Sequence, residues 1–394
     1  MKLFCPSNLD LVVALKERGH DYWLKHIDKL YYLMLIIYRG RWGKAHEPDD
    51  FIPVNAKRLR QILGTRFARP ATELLIEMGI IETNRHYLVG ERSRGYRFSE
   101  PYRNAKFRLV KQIPNYRISA ILQECMDGDL TLEAHKFLFE NQKRVTIDDG
   151  VAVFLEQFQA ESERQRDYYE RSAEDIRDKE WRFASDKKTG RVFNNITSLP
   201  KQLRQFLRLD GKPLVEIDVA NCQPLLLLGL YNDADKEREE FRRVVENGNF
   251  YETIDVLLEK PYGTERRSEL KDKIFTQVFF DRVWPTSSKL CQAFQKRFPV
   301  LYERMVALKA ADHRRLALRL QSDEARIVIS KVVTGIASST RIPILTIHDS
   351  VLTKAEHVAE VKERLEAAFK EQLGVKPTLK IKTNPTPAAT FSLN

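Results

Sequence analysis

The chain has 394 residues, 43% of them hydrophobic and 31% charged, with a formal net charge of +11. That length predicts two or three domains with sizeable cores in a soluble, globular protein. No apolar run approaches the ~20 residues of a membrane span. The opening Met-Lys-Leu-Phe-Cys-Pro has too short an apolar stretch for a secretory signal, and Cys5, Cys125, Cys222 and Cys291 lack the spacing of a zinc site or a disulfide framework. A cytoplasmic protein is expected.

The charge is unevenly placed. Residues 1–110 carry 20 Lys and Arg against 12 Asp and Glu, and a basic front end predicts a polyanionic partner, nucleic acid first among them. Within it, Asn55 is placed to cap a helix from Ala56 to about Leu63 with Leu59, Ile62 and Leu63 on its apolar face, and Gly64 ends it. Pro70 suits an early position in a second helix that buries Leu74, Leu75 and Met78 and stops at Gly79. Ile80–Thr83, Tyr87–Val89 and Tyr96–Phe98 read as short strands around the charged tip Glu91-Arg92-Ser93-Arg94-Gly95. The succession resembles a winged helix-turn-helix over roughly residues 10–105. The resemblance implies that its second helix enters a DNA groove while Arg92, Arg94 and Arg97 meet phosphates.

Residues 112–180 read as helical and highly charged, with alternating signs over 155–180 typical of an exposed strut. At 186–195, Asp-Lys-Lys-Thr189-Gly190-Arg191-Val-Phe-Asn-Asn sets a glycine turn beside basic and amide donors, suited to gripping a phosphate backbone or a base edge.

Two later segments, Leu214–Asp218 and Ile344–Ser350, are apolar β-like runs that each end in an aspartate, Asp218 and Asp349. Between them the segment 267–279 reads as a basic helix with Arg267, Lys271, Phe275 and Phe279 four apart on one side and Lys273 on another. Two carboxylates on neighbouring strand ends, faced by such a helix, suit a divalent metal pair under a triphosphate. Arg267 offers a bidentate fork and Lys271 a point charge, with Lys271 also a candidate proton donor to a leaving pyrophosphate.

These pieces, in this order, are similar to the motifs of family A DNA polymerases and their relatives, the phage-type single-subunit RNA polymerases. Thr189-Gly190-Arg191 resembles the family's Thr-Gly-Arg element. Asp218-Val-Ala-Asn-Cys-Gln223-Pro looks like motif A, with Gln223 where the DNA enzymes usually carry a glutamate that gates against the ribose 2′-hydroxyl. The 267–279 helix resembles motif B, which implies that Arg267 and Lys271 hold phosphates while Phe275 and Phe279 flank the nascent base pair; Phe279 and Phe280 depart from the family's tyrosine and glycine. Leu320-Gln321 onward resembles the palm helix whose glutamine touches the primer-template minor groove. His348-Asp349-Ser350 matches motif C, closer to the RNA polymerase branch than to His-Asp-Glu. His348 itself reads as a packed residue beside the nucleic acid and not as a catalyst, because two-metal transfer needs no imidazole.

The resemblance implies an α+β fold: a right-hand palm, fingers and thumb behind the winged helix, with boundaries at 1–110, 111–185 (helical, thumb-like) and 186–394, fingers at about 235–300. The palm sheet is expected to be antiparallel, backed by helices over 321–338 and 355–372, with 378–383 adding an edge strand. Expected cofactors are two Mg2+ ions bound by Asp218 and Asp349, with Mn2+ as a substitute. Expected partners are a DNA template and primer and nucleoside triphosphates, with no membrane, for a monomer without a proofreading exonuclease. The expected activity is DNA synthesis from dNTPs by a replicase or priming polymerase of a phage or mobile element. An RNA-synthesising primase or small transcriptase, and a non-catalytic initiator or regulator, are the alternatives.

Overall fold

The computed structural model describes residues 2–41, 51–84, 93–110, 113, 117–258, 260–281 and 288–383. It divides into two units, Met1–Gly128 with Phe154–Glu174, and Asp129–Val153 with Asp175–Asn394. It is a mixed helix and sheet fold.

The first unit is built round the helix Ile27–Gly40, whose Tyr-Tyr-Leu-Met-Leu-Ile-Ile run is apolar on nearly every side and therefore buried on nearly every side. Asp28 in its first turn is buried too. Its carboxylate accepts from the amides of Lys29, Arg117 and Ile118 at 2.9, 3.0 and 3.2 Å, so a core acid serves as the cap of the helix Ile118–Asp129.

The helix Ala56–Leu63 forms as its sequence predicts: Asn55 Oδ1 accepts from the Arg58 amide at 3.0 Å, and Gly64 ends it at φ 89°. The second helix starts earlier than predicted, at Thr65, leaving Pro70 inside it. Ring contacts of Phe67 with His26 (4.5 Å) and Trp23 (6.1 Å) dock this first turn and offset the hydrogen bond that proline cannot make. Two small sheets complete the region: β1 (Phe4–Pro6) belongs to one, while β2 (Ile52–Pro53), β3 (Ile81–Thr83) and β4 (Gly95–Phe98) make the other in the order β2-β4-β3, with Ile81 opposite Phe98 and Ile52 opposite Tyr96. β5 (Phe107–Leu109) pairs with β1. The strand expected at Tyr87–Val89 and the residue Arg92 lie outside the described residues.

One contact in this unit tolerates no side chain. A Cβ on Gly40, the last residue of the central helix, would overlap Ile52 Cγ2 in β2. Gly40→Ala is therefore expected to cost about 1–3 kcal/mol through overpacking, read as a lowered urea midpoint at unchanged m-value.

The second unit carries an antiparallel sheet. Its strands are β6 (Val145–Ile147), β9 (Leu207–Leu209), β10 (Lys212–Val219), β11 (Ile344–Ile347), β12 (Ser350–Lys354) and β13 (Leu379–Thr383); β7 (Phe183–Ser185) and β8 (Val192–Asn194) form a separate hairpin. The main order is β11-β12-β10-β9-β6, and β13 pairs with the far part of β10 on the same side as β9. Val215, Ile217 and Val219 of β10 are buried, whereas Glu216 and Asp218, on the opposite face of the pleat, keep partial access to solvent. Helix Val358–Leu373 packs on β10, β12 and the helical segment Arg326–Val333.

Between β10 and β11 the chain is helical. Phe241, Phe250, Phe279, Phe294 and Phe298 form a fully buried aromatic core there, with Phe241 and Phe298 edge to face at 5.0 Å. The helix Arg267–Ile274 passes into a wide π-turn over Phe275–Phe279, where the Phe280 amide bonds the Phe275 carbonyl at 2.9 Å.

Candidate active site

Asp218 lies near the end of β10, directly opposite Ser350, the first residue of β12. Ile347 also pairs with Ser350, so His348 and Asp349 make the two-residue turn of the β11–β12 hairpin, with His348 at φ 55°. Two aspartates 131 positions apart in sequence are thus brought to one end of one sheet. Three residues past Asp218, Asn221 also turns left-handed, at φ 54°.

The carboxylates are closely surrounded. The Ser350 hydroxyl donates to Asp218 Oδ1 at 2.8 Å and lies 3.4 Å from Glu216 Oε1. From β13, Lys382 Nζ donates to Asp218 Oδ2 and to Glu216 Oε1, both at 2.9 Å. Arg204 stands 3.9 Å from Glu216. A further acid, Glu324 in the helix Arg315–Ala325, is only 2% exposed; Arg191 donates to its Oε2 at 2.5 Å and the Gln223 amide at 2.8 Å.

This crowding of acids shifts their ionisation. Burial, then the negative charges of Glu324 and Asp218, push the Asp349 carboxyl up to about 7, while its backbone hydrogen bond and Lys271 pull the other way. Burial raises Glu324 against the opposing pull of Arg191 and Gln223. His348 is lowered by burial and by Arg191 and Arg204. For Lys382, burial favours the neutral form, but its bonds to Asp218 and Glu216 prevail and raise it.

Four buried polar atoms around these acids have no hydrogen-bond partner among the described residues: Arg191 Nε, Asn221 Nδ2, Gln223 Oε1 and His348 Nδ1. Each such atom costs about 1–3 kcal/mol if left unmet. Together with carboxylates that repel one another, they suit a polar guest carrying cations. Mg2+ takes one or two carboxylates and completes its shell with water and phosphate oxygens, so Asp218 and Asp349 are an adequate donor pair for it. No group of three or more His, Cys, Asp or Glu side chains that could hold a metal occurs among the described residues.

The remaining predicted residues fall into distinct groups. Lys271 is exposed, within electrostatic reach of Asp349, and its ammonium is 5.9 Å from the half-buried Phe275 ring. Arg267, four residues earlier, pairs with Glu252 at 2.5 Å and lies over the Tyr251 ring. Lys273 is turned away to Tyr262 and Glu269. Phe279 is fully buried in the aromatic core, a packing position and not the base-pair surface expected of it.

Arg191 reaches Glu324, whereas the Thr189 hydroxyl is buried against Asp186 at 2.6 Å and shapes the turn instead of facing outward. Gln321 is half-exposed. In the first unit Arg94 is exposed, while Arg97 is held by Glu82 at 3.0 Å and stacks over Phe51. Sequence reasoning missed Glu216, Glu324 and Lys382. The usable signals were an acid two positions before Asp218 on the same strand face, an acid shortly before the apolar run Ile327–Ile329, and the alternation of Lys380 and Lys382.

No helix among the described residues is long and apolar enough to cross a membrane. No family model and no curated protein matches the chain. Among solved structures it is similar to the POL domain of Pol1 from M. smegmatis in complex with DNA primer-template and dNTP. The TM-score is 0.48 at 12% identity, over 67% of this chain and 72% of that one. A likeness of that size is too slight to assign an activity.

Proposed function

We propose that the chain is a template-dependent nucleotidyltransferase that extends DNA from dNTPs, a compact replicase or priming polymerase of the family A type from a phage or mobile element. The observation that carries this reading is the meeting of Asp218 and Asp349 at one sheet end, with Lys271 in electrostatic reach. Two Mg2+ ions, or Mn2+ in their place, would supply activation of a primer 3′-hydroxyl and neutralisation of the leaving pyrophosphate.

The chain's own residues do the rest. Asp218 and Asp349 hold the cations. Arg267 exchanges Glu252 for a phosphate and grips it bidentately, and Lys271 neutralises the triphosphate and passes a proton from Nζ to the departing pyrophosphate. Phe275 offers its ring to the incoming base, and Arg191, Gln321 and His348 border the nucleic acid. The first unit contributes a winged helix-turn-helix over residues 1–110. Its helices expose Lys57, Arg58, Arg60, Arg66 and Arg69, in keeping with a phosphate-facing surface. Within residues 111–185 the helices Ile118–Asp129 and Glu163–Arg177 serve as the thumb-like part, while β6 belongs to the sheet of the second unit.

One observation favours RNA synthesis as the second reading: Gln223 Oε1 is a buried acceptor with no partner among the described residues, suited to a ribose 2′-hydroxyl. Purified protein with Mg2+ on primed and unprimed templates separates the readings. Primer extension with dNTPs alone supports the first, and unprimed products from NTPs the second. DNA binding with no synthesis from either would leave a non-catalytic initiator or regulator.

A further inference from the structure

The cation nearest the two β10 carboxylates belongs to the protein. Lys382 stands opposite Glu216 in the β10–β13 register, and its ammonium reaches diagonally to Asp218, 2.9 Å from one oxygen of each acid. The other oxygen of Asp218 is taken by the Ser350 hydroxyl, so both oxygens are committed. Strand β13 pairs only with β10 among the described residues, and its Ile381 is half-exposed, so this ion pair is one of few side-chain ties on that strand.

We propose that Lys382 is a positioning residue that competes with the divalent cation for Asp218 Oδ2. In the metal-free chain the ammonium fixes the Asp218 rotamer and offsets the repulsion between Glu216 and Asp218. A divalent ion on Asp218 is repelled by the ammonium at that oxygen, so loading leaves Lys382 to Glu216 alone and loosens β13. This inference rests on reading Asp218 as a metal ligand.

Mn2+ binding to the full chain without nucleotide or DNA, followed by electron paramagnetic resonance of free Mn2+, tests it. Lys382→Met is expected to tighten binding about three- to tenfold by removing a like charge from the site. Lys382→Arg is expected to stay close to the parent value. Lys382→Gln, which keeps a donor without the charge, serves if the methionine variant loses its circular dichroism spectrum. In the unmodified chain, Mn2+ is expected to speed hydrogen exchange at amides 379–383, a response that Asp218→Asn abolishes. Unchanged or weaker Mn2+ binding in a folded, charge-neutral Lys382 variant, or slower exchange on Mn2+ addition, overturns the competition. If binding depends on Asp218 but not on Lys382, only this inference fails; if no Asp218-dependent Mn2+ binding occurs, the reading of the site fails with it.

Discussion

Asp218→Asn and Asp349→Asn are each expected to lower nucleotide incorporation by about 10^3-fold or more, the loss of about 4 kcal/mol of transition-state stabilisation. Asparagine keeps the shape of the side chain and removes the negative charge that holds a cation. The two variants are expected to differ in stability. Asp349 is destabilised in the metal-free chain by burial and by the charges of Glu324 and Asp218, so Asp349→Asn should leave the melting temperature unchanged or raise it. Asp218→Asn removes the charge that Lys382 and Ser350 hold and should lower it slightly. Single-turnover primer extension and thermal unfolding of both variants read these effects together. Activity within tenfold of the parent in either variant would remove that carboxylate from the reaction.

Arg191→Met is expected to destabilise the second unit by about 3–5 kcal/mol, because it leaves Glu324 buried without its cation. Replacing both partners, Arg191→Met with Glu324→Leu, should recover most of that loss, since a buried pair exchanged for apolar groups is often neutral. The single variant also has a pH signature. Without the arginine the Glu324 carboxyl, already raised by burial, rises further. The native state then binds a proton that the unfolded chain does not, so stability of Arg191→Met increases as pH falls through that raised value. Urea titrations of the single and double variants at pH 5 and pH 8 measure the difference. A single variant as stable as the parent at both pH values would show that the pair is dispensable.

The segments that could be read from sequence were those whose signal is local. Asn55, Gly64 and Gly79 punctuate helices by backbone geometry, and the apolar runs ending at Asp218 and Asp349 form strands of one sheet, though not neighbouring ones as expected: β12, which follows Asp349 after a two-residue turn, lies between them and carries the second acid to the end of β10. What escaped depends on distant partners. Glu324 looks like any helix-surface acid until Arg191 and Gln223, over 100 residues earlier, close over it. Lys382 looks like the polar side of an edge strand until the register sets it against Glu216. Phe279 was misread for a local reason: a regular helix keeps positions 267, 271, 275 and 279 near one side, but the wide turn at 275–279 changes the phase and delivers the last ring to the core. Pro70 was a poor marker because tertiary docking of Phe67 outweighs the missing hydrogen bond.

Neither Asn221 nor His348 is a glycine, yet both hold the left-handed backbone that glycine adopts freely, an arrangement that stores about 1 kcal/mol or more at each. Both bends border the acids, one just past Asp218 and the other just before Asp349. Glycine there would relax the chain and let each acid wander. The protein thus forgoes some thermal robustness at two hinges to keep its paired acids aimed before any substrate arrives.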